Sequence, residues 1–91
     1  MLKTIGLAYR AKMVAYGSQM RLNAIRNKSA KLIIIAKDSA NNTIKLITDK
    51  CKFYKVDYIF IDSSDDLSLA IGKPKIKVIA ILDEGFKKLL L

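Results

Sequence analysis

The strongest constraint on the fold is Leu32-Ile33-Ile34-Ile35-Ala36, an unbroken apolar run that is β-branched at its centre. A strand with one face in water would alternate apolar and polar side chains, so a run without a polar position reads as a strand covered on both sides. Covering both faces of a sheet takes helices above and below it, which selects an α/β layer architecture. Two similar runs follow, Tyr58-Ile59-Phe60-Ile61 and Val78-Ile79-Ala80-Ile81-Leu82, with room for a helix before each. Tyr58–Ile61 is expected as a second central strand.

The remaining segments supply those helices. Leu2, Ile5, Tyr9 and Met13 recur at helical spacing and predict a first helix that stops near Met13, with Lys3, Arg10 and Lys12 facing solvent. Val14 to Tyr16 reads as a brief strand, and Gly17 then turns the chain so that Ser18 or its neighbour caps a helix running to about Arg26. After the first long run, Lys37 to Asn42 is turn chemistry, and Ile44, Ile47, Cys51 and Tyr54 trace a third helix with Cys51 on its buried stripe. Asp62 to Asp66 places caps and acids at the start of a short helix carrying Leu67, Ala70 and Ile71, and Gly72 is expected to end it in a left-handed stop with Pro74 beyond. Lys75-Ile76-Lys77 alternates as the entry to a strand should, and Asp83-Glu84 and Lys87-Lys88 bracket a last helix with charges matched to its dipole. The expected architecture is an α/β sandwich over residues 1–91, one domain with a mixed sheet of about four strands and helices on both faces.

Charge points to the partner. Seventeen Lys and Arg against eight Asp and Glu leave a net +9, and Met1 to Lys37 holds eight cations and no acid. Such an excess concentrates polyanions, with nucleic acid first, an acidic protein second and a merely solubilising surface third. The chain has no histidine and one cysteine, so an internal disulfide and a zinc site are not expected, and no proton-exchanging or nucleophilic constellation can be assembled. Asp62, Asp65 and Asp66 could hold magnesium but are better explained as first-turn acids, and Cys51 as a packed thiol. Glycine-rich nucleotide fingerprints are missing, so no cofactor is expected, and the chain is read as a non-enzyme. The start of the chain does not read as a signal peptide and no apolar run could cross a bilayer, so a cytoplasmic monomer is expected.

Two cation-bearing turns remain as a binding surface: Gly17 to Arg21, where a helix amino end presents free N–H groups, and the loop Gly72-Lys73-Pro74-Lys75-Ile76-Lys77. Brought together, Arg21, Lys37, Lys73 and Lys75 would grip phosphates while Ile76 packs against an exposed base. Of the tyrosines, Tyr16 beside the glycine is the candidate for base stacking.

The chain resembles the archaeal and eukaryotic large-subunit ribosomal proteins that bind kink-turn RNA, and most closely their small bacterial relatives of the YlxQ type. The matching stretches are Gly17-Ser18-Gln19 through Ala24-Ile25, Ala30 to Ser39, Thr48 to Cys51, and Leu67 to Gly72. The resemblance implies a three-layer α/β/α sandwich that binds structured RNA, with association with the ribosome as one possibility. It also implies that the glycine, a small residue, an asparagine and a glutamate at the second helix read the sheared G·A pairs of the kink-turn. Gly17 and Ser18 match that set, Gln19 replaces the asparagine and Met20 the glutamate, while Tyr16 and Asp66 stand where lysines are usual. Ile44 and Ile76 fall where the family has apolar residues under a flipped-out base. These departures leave phosphate gripping and remove much of the base-reading set, since methionine cannot accept a hydrogen bond of carboxylate strength. The expected function is recognition of a folded RNA, the kink-turn among the candidates, through Gly17, Ser18, Gln19, Arg21, Lys37, Ile44, Lys73, Lys75 and Ile76. A protein-interaction module docking an acidic partner is the alternative.

Overall fold

The computed structural model describes residues 1–91. Its elements run α1 (Leu2–Arg10), β1 (Val14–Ala15), α2 (Ser18–Arg26), β2 (Leu32–Ala36), α3 (Asn41–Tyr54), β3 (Asp57–Ile61), α4 (Ser64–Ile71), β4 (Val78–Ile81) and α5 (Glu84–Leu90). The four strands form one mixed sheet in the order β1-β4-β2-β3. Strands β2 and β3 are parallel, and β4 is antiparallel to both β2 and β1.

Alternate residues of the apolar strands enter opposite layers, which is why these strands tolerate no polar position. Leu32, Ile34, Ile79 and Ile81 pack with Ile5 and Ala8 of α1, Leu67 and Ile71 of α4 and Leu90 of α5. Ile33, Ile35, Val78 and Ala80 pack on the other side with Ala24 and Ile25 of α2 and Ile47 and Cys51 of α3. The three layers are thus α1, α4 and α5, then the sheet, then α2 and α3. All five residues of β2 and all four of β4 are buried, and each large aliphatic side chain there contributes about 1.5–3 kcal/mol of burial energy.

Three expectations are corrected. Helix α1 ends at Arg10 and not near Met13, because the chain must turn into β1: Lys12 adopts the left-handed conformation (φ 61°) and its N–H bonds the Tyr9 carbonyl at 3.0 Å. Strand β3 is an edge strand and not central, and accordingly Phe60 on it is exposed. Residues 75–77 are not strand: Lys75 is left-handed (φ 57°), and the ladder begins only at Val78. Gly72 does end α4 in a left-handed cap (φ 69°), and Ser63 and Asp83 cap α4 and α5 through their side chains.

Candidate nucleic-acid interface

The strand directions decide which loops meet. Since β4 runs opposite to the other three strands, the carboxyl ends of β1, β2 and β3 and the amino end of β4 lie at one end of the sheet. The turn Tyr16-Gly17, the loop Lys37–Ala40, the corner Asp62-Ser63 and the approach Lys75–Lys77 therefore converge, and α2, α3 and α4 begin there. Gly17 and Ala40, the N-caps of α2 and α3, offer no side-chain cap, so first-turn N–H groups of both helices are left for solvent or a ligand.

At α2, Ser18, Gln19 and Met20 are all exposed, with the Gln19 amide donating to the Asn23 side chain at 3.2 Å. Gly17 is the extended N-cap (φ −74°, ψ 147°), a conformation open to any residue. A Cβ there would meet only the Met20 side chain at 3.8 Å, so nothing inside the fold requires glycine at this position.

Arg21 is not an open phosphate hook. Its Nη1 donates to the carbonyl oxygens of Tyr16 at 3.1 Å and Val78 at 3.5 Å, tying the start of α2 to the start of β4. Its Nε is buried without a partner, and burial lowers its pKa. Ile76 is likewise corrected: at 8% exposure it belongs to the core between the sheet and α4, and its N–H bonds the Ser68 hydroxyl at 2.9 Å, so its side chain is not offered to a base. Tyr16 packs half-buried against the same core, with its ring 6.0 Å from that of Tyr9. Ile44 is half-buried against the α2 and α3 layer.

The lysines of the converging loops differ in freedom. Lys37 pairs with Asp62 at 3.2 Å, both well exposed. Lys73 and Lys75 are exposed and outside the ion pairs. Lys77 is also exposed, and its Nζ lies 3.5 Å from the Asp38 carbonyl oxygen; sequence reasoning passed it over, although its alternation with the buried Ile76 already put it on the outer side. Behind it, the Asp38 carboxylate accepts from the Ser64 hydroxyl at 2.8 Å and the Ser64 N–H at 2.9 Å, locking the β2–α3 loop to α4. The Ser64 hydroxyl bond, chiefly, holds the Asp38 pKa below its ordinary value.

Cys51 is buried on α3, and desolvation pushes its thiol up to about 11. No helix is long and apolar enough to cross a membrane.

The family model described as ribosomal protein L7Ae/L30e/S12e/Gadd45 matches residues 1–91. The RNA-binding protein YlxQ of Bacillus subtilis (strain 168) is 43% identical over 82 residues, covering 90% of this chain and 82% of the relative. A Bacillus halodurans protein of unknown function superposes with a TM-score of 0.92 at 32% identity, over 98% of this chain and 90% of that one. The Giardia lamblia 15.5kD RNA-binding protein shares the fold, with a TM-score of 0.81 at 21% identity over 98% of this chain and 77% of its own.

Proposed function

Because this chain belongs to the ribosomal protein L7Ae/L30e/S12e/Gadd45 family, we propose that it binds a folded RNA at the sheet end where α2 begins. The observation that carries the proposal is the uncapped amino end of α2, with Ser18, Gln19 and Met20 exposed, at the same end of the sheet as the exposed Lys75 and Lys77. Backbone N–H groups and the helix dipole attract phosphate, and the lysines extend the attraction along the strand. Gly17 keeps a side chain away from those N–H groups, which is a reason for glycine that the fold itself does not supply. Arg21 contributes by bracing α2 against β4, and Lys37 can exchange Asp62 for a phosphate, since that pair is exposed and weak. The target class is a structured ribosomal or other non-coding RNA, with a kink-turn as the specific shape. That the relatives named above include RNA-binding proteins supports the same assignment.

The test is a titration of the protein with a kink-turn stem-loop across a salt series. Binding should weaken steeply with salt, by about 0.7–0.9 in log–log slope for each phosphate contact. Lys75→Glu with Lys77→Glu should weaken it at least about tenfold, as expected when two phosphate contacts become repulsive. Unchanged affinity in that variant would remove the proposed face, and binding insensitive to nuclease in a pulldown would favour an acidic protein partner instead.

A further inference from the structure

The opposite end of the sheet carries a second concentration of positive charge. There α2 and α3 end, β2 and β3 begin, and α5 starts, and between them lies a hollow of about 240 Å³ bordered by Lys28, Lys31, Lys55, Lys87, Asp57 and Glu84. Lys87 takes up both acids, at 2.8 Å from Asp57 and 4.0 Å from Glu84. Lys28, Lys31 and Lys55 are exposed and have no acidic partner. At the α2 end, by contrast, Lys37 is paired with Asp62, Lys77 lies beside Asp38, and Asp65 and Asp66 stand in the first turn of α4. Lys73 and Lys75 are without an acidic partner there too, so the chain carries unneutralised charge at both poles of its sheet.

Left-handed lysines recur along the chain, at Lys12, Lys28, Lys55 and Lys75, and two of the four border the hollow. Lys28 (φ 62°) and Lys55 (φ 59°) occupy the left-handed stops after α2 and α3, positions that glycine or asparagine fills with less strain. A cation near a helix carboxyl end complements the dipole. That alone does not explain why two left-handed lysines and Lys31 converge on one hollow whose acids are already taken.

We propose that this pole is a second phosphate-backbone contact, so that the domain bridges two RNA segments held at opposite ends of its sheet. The second segment is recognised by charge and spacing alone, as a regular duplex is, because the hollow offers ammonium groups and no arrangement of base-reading side chains. The bridging role rests on the RNA reading above, whereas the second contact can be tested by itself.

Two probes separate them: a donor-labelled kink-turn stem-loop and an acceptor-labelled plain RNA duplex. The variant is Lys28→Asn, Lys31→Gln and Lys55→Asn, asparagine being chosen because it accepts the left-handed conformation. Duplex binding by the unaltered protein should show a salt slope about two to three units steeper than that of the triple variant. Energy transfer between the two RNAs should appear on adding the unaltered protein and disappear with the triple variant, which should still bind the stem-loop. Equal duplex affinity and slope in both proteins, or no duplex binding by the unaltered one, overturns the second contact. Loss of stem-loop binding with a persisting difference in the duplex arm would instead overturn the α2 face and leave this pole standing. Circular dichroism on the triple variant checks that its fold is kept.

Discussion

The Arg21 guanidinium donates to the Tyr16 carbonyl oxygen at 3.1 Å, so the cation nearest the α2 amino end closes the β1–α2 turn upon itself. The bond to Val78 at 3.5 Å extends the closure to β4.

Arg21→Met should therefore act first on stability. The substitution keeps an unbranched apolar stem and removes the donors, leaving two carbonyls without this partner; a loss of about 1–3 kcal/mol is expected from hydrogen bonds to a charged group. Urea unfolding measures it. Arg21→Glu is the worse variant, since it sets a half-buried carboxylate against two carbonyl oxygens, and a drop in RNA binding by that protein would not distinguish lost contact from lost fold.

Gly17→Ala separates the two effects. With ordinary φ and a nearest neighbour 3.8 Å from the added Cβ, the variant should keep its stability within about 1 kcal/mol by thermal melting. A methyl group over the first-turn N–H groups should nonetheless weaken kink-turn binding several-fold. Full affinity in Gly17→Ala would mean that the partner does not approach this backbone.

Asp38 makes one contribution to the fold sensitive to acid. Its carboxyl is held below the ordinary 3.8 mainly by the Ser64 hydroxyl, so the folded chain keeps it ionised where the unfolded chain is already protonated. Its contribution is complete above the unfolded value of about 4 and is lost as pH falls through the lower folded value. Asp38→Asn should lower the melting temperature at pH 7 and flatten the loss of stability below about pH 4, checked by melts across that range.

Cys51 predicts the alkaline counterpart. Burial raises its thiol from 9.0 to about 11, so across that window the unfolded thiol ionises while the folded one does not, and stability falls as pH rises. Cys51→Ala should remove this slope. At pH 8 a disulfide reagent should label the native protein at least about a hundredfold more slowly than the urea-unfolded chain, because reaction needs both opening and the thiolate.

The layers were legible in the chain because the apolar runs admit one explanation: Leu32–Ala36 has no polar position to turn toward water, and it is buried throughout. The edge position of β3 was not legible, because Tyr58, Ile59 and Phe60 read as apolar whether the flanking neighbour is a strand or solvent. Around the candidate interface the same rule holds. Gly17 as the turn into α2 could be read locally, whereas the burial of Ile76 depends on α4 closing over it, and the use of Arg21 as a brace depends on Val78, which is 57 residues away. Asp38 and Ser64, 26 residues apart, gave no local pattern for the same reason.

The exposed pair Gln19 and Met20 gives the sharpest test of base reading. By the sequence resemblance they stand at the positions of an asparagine and a glutamate, and both are exposed on the first turn of α2. Gln19 is partly occupied by its bond to Asn23, and Met20 cannot accept from a guanine edge as a carboxylate does. A glutamate at position 20 also places an acid in the first turn of a helix that has none, which favours the fold by about 0.3–1 kcal/mol. Gln19→Asn with Met20→Glu should therefore be at least as stable as the parent and should bind a kink-turn roughly tenfold or more tightly, since one good base contact is worth about 1–3 kcal/mol. Affinity for a duplex lacking the kink should fall slightly because of the added negative charge. A parallel titration of both RNAs reads the difference directly: a gain confined to the kink-turn would assign base reading to this turn, and equal changes on both probes would assign it to charge alone.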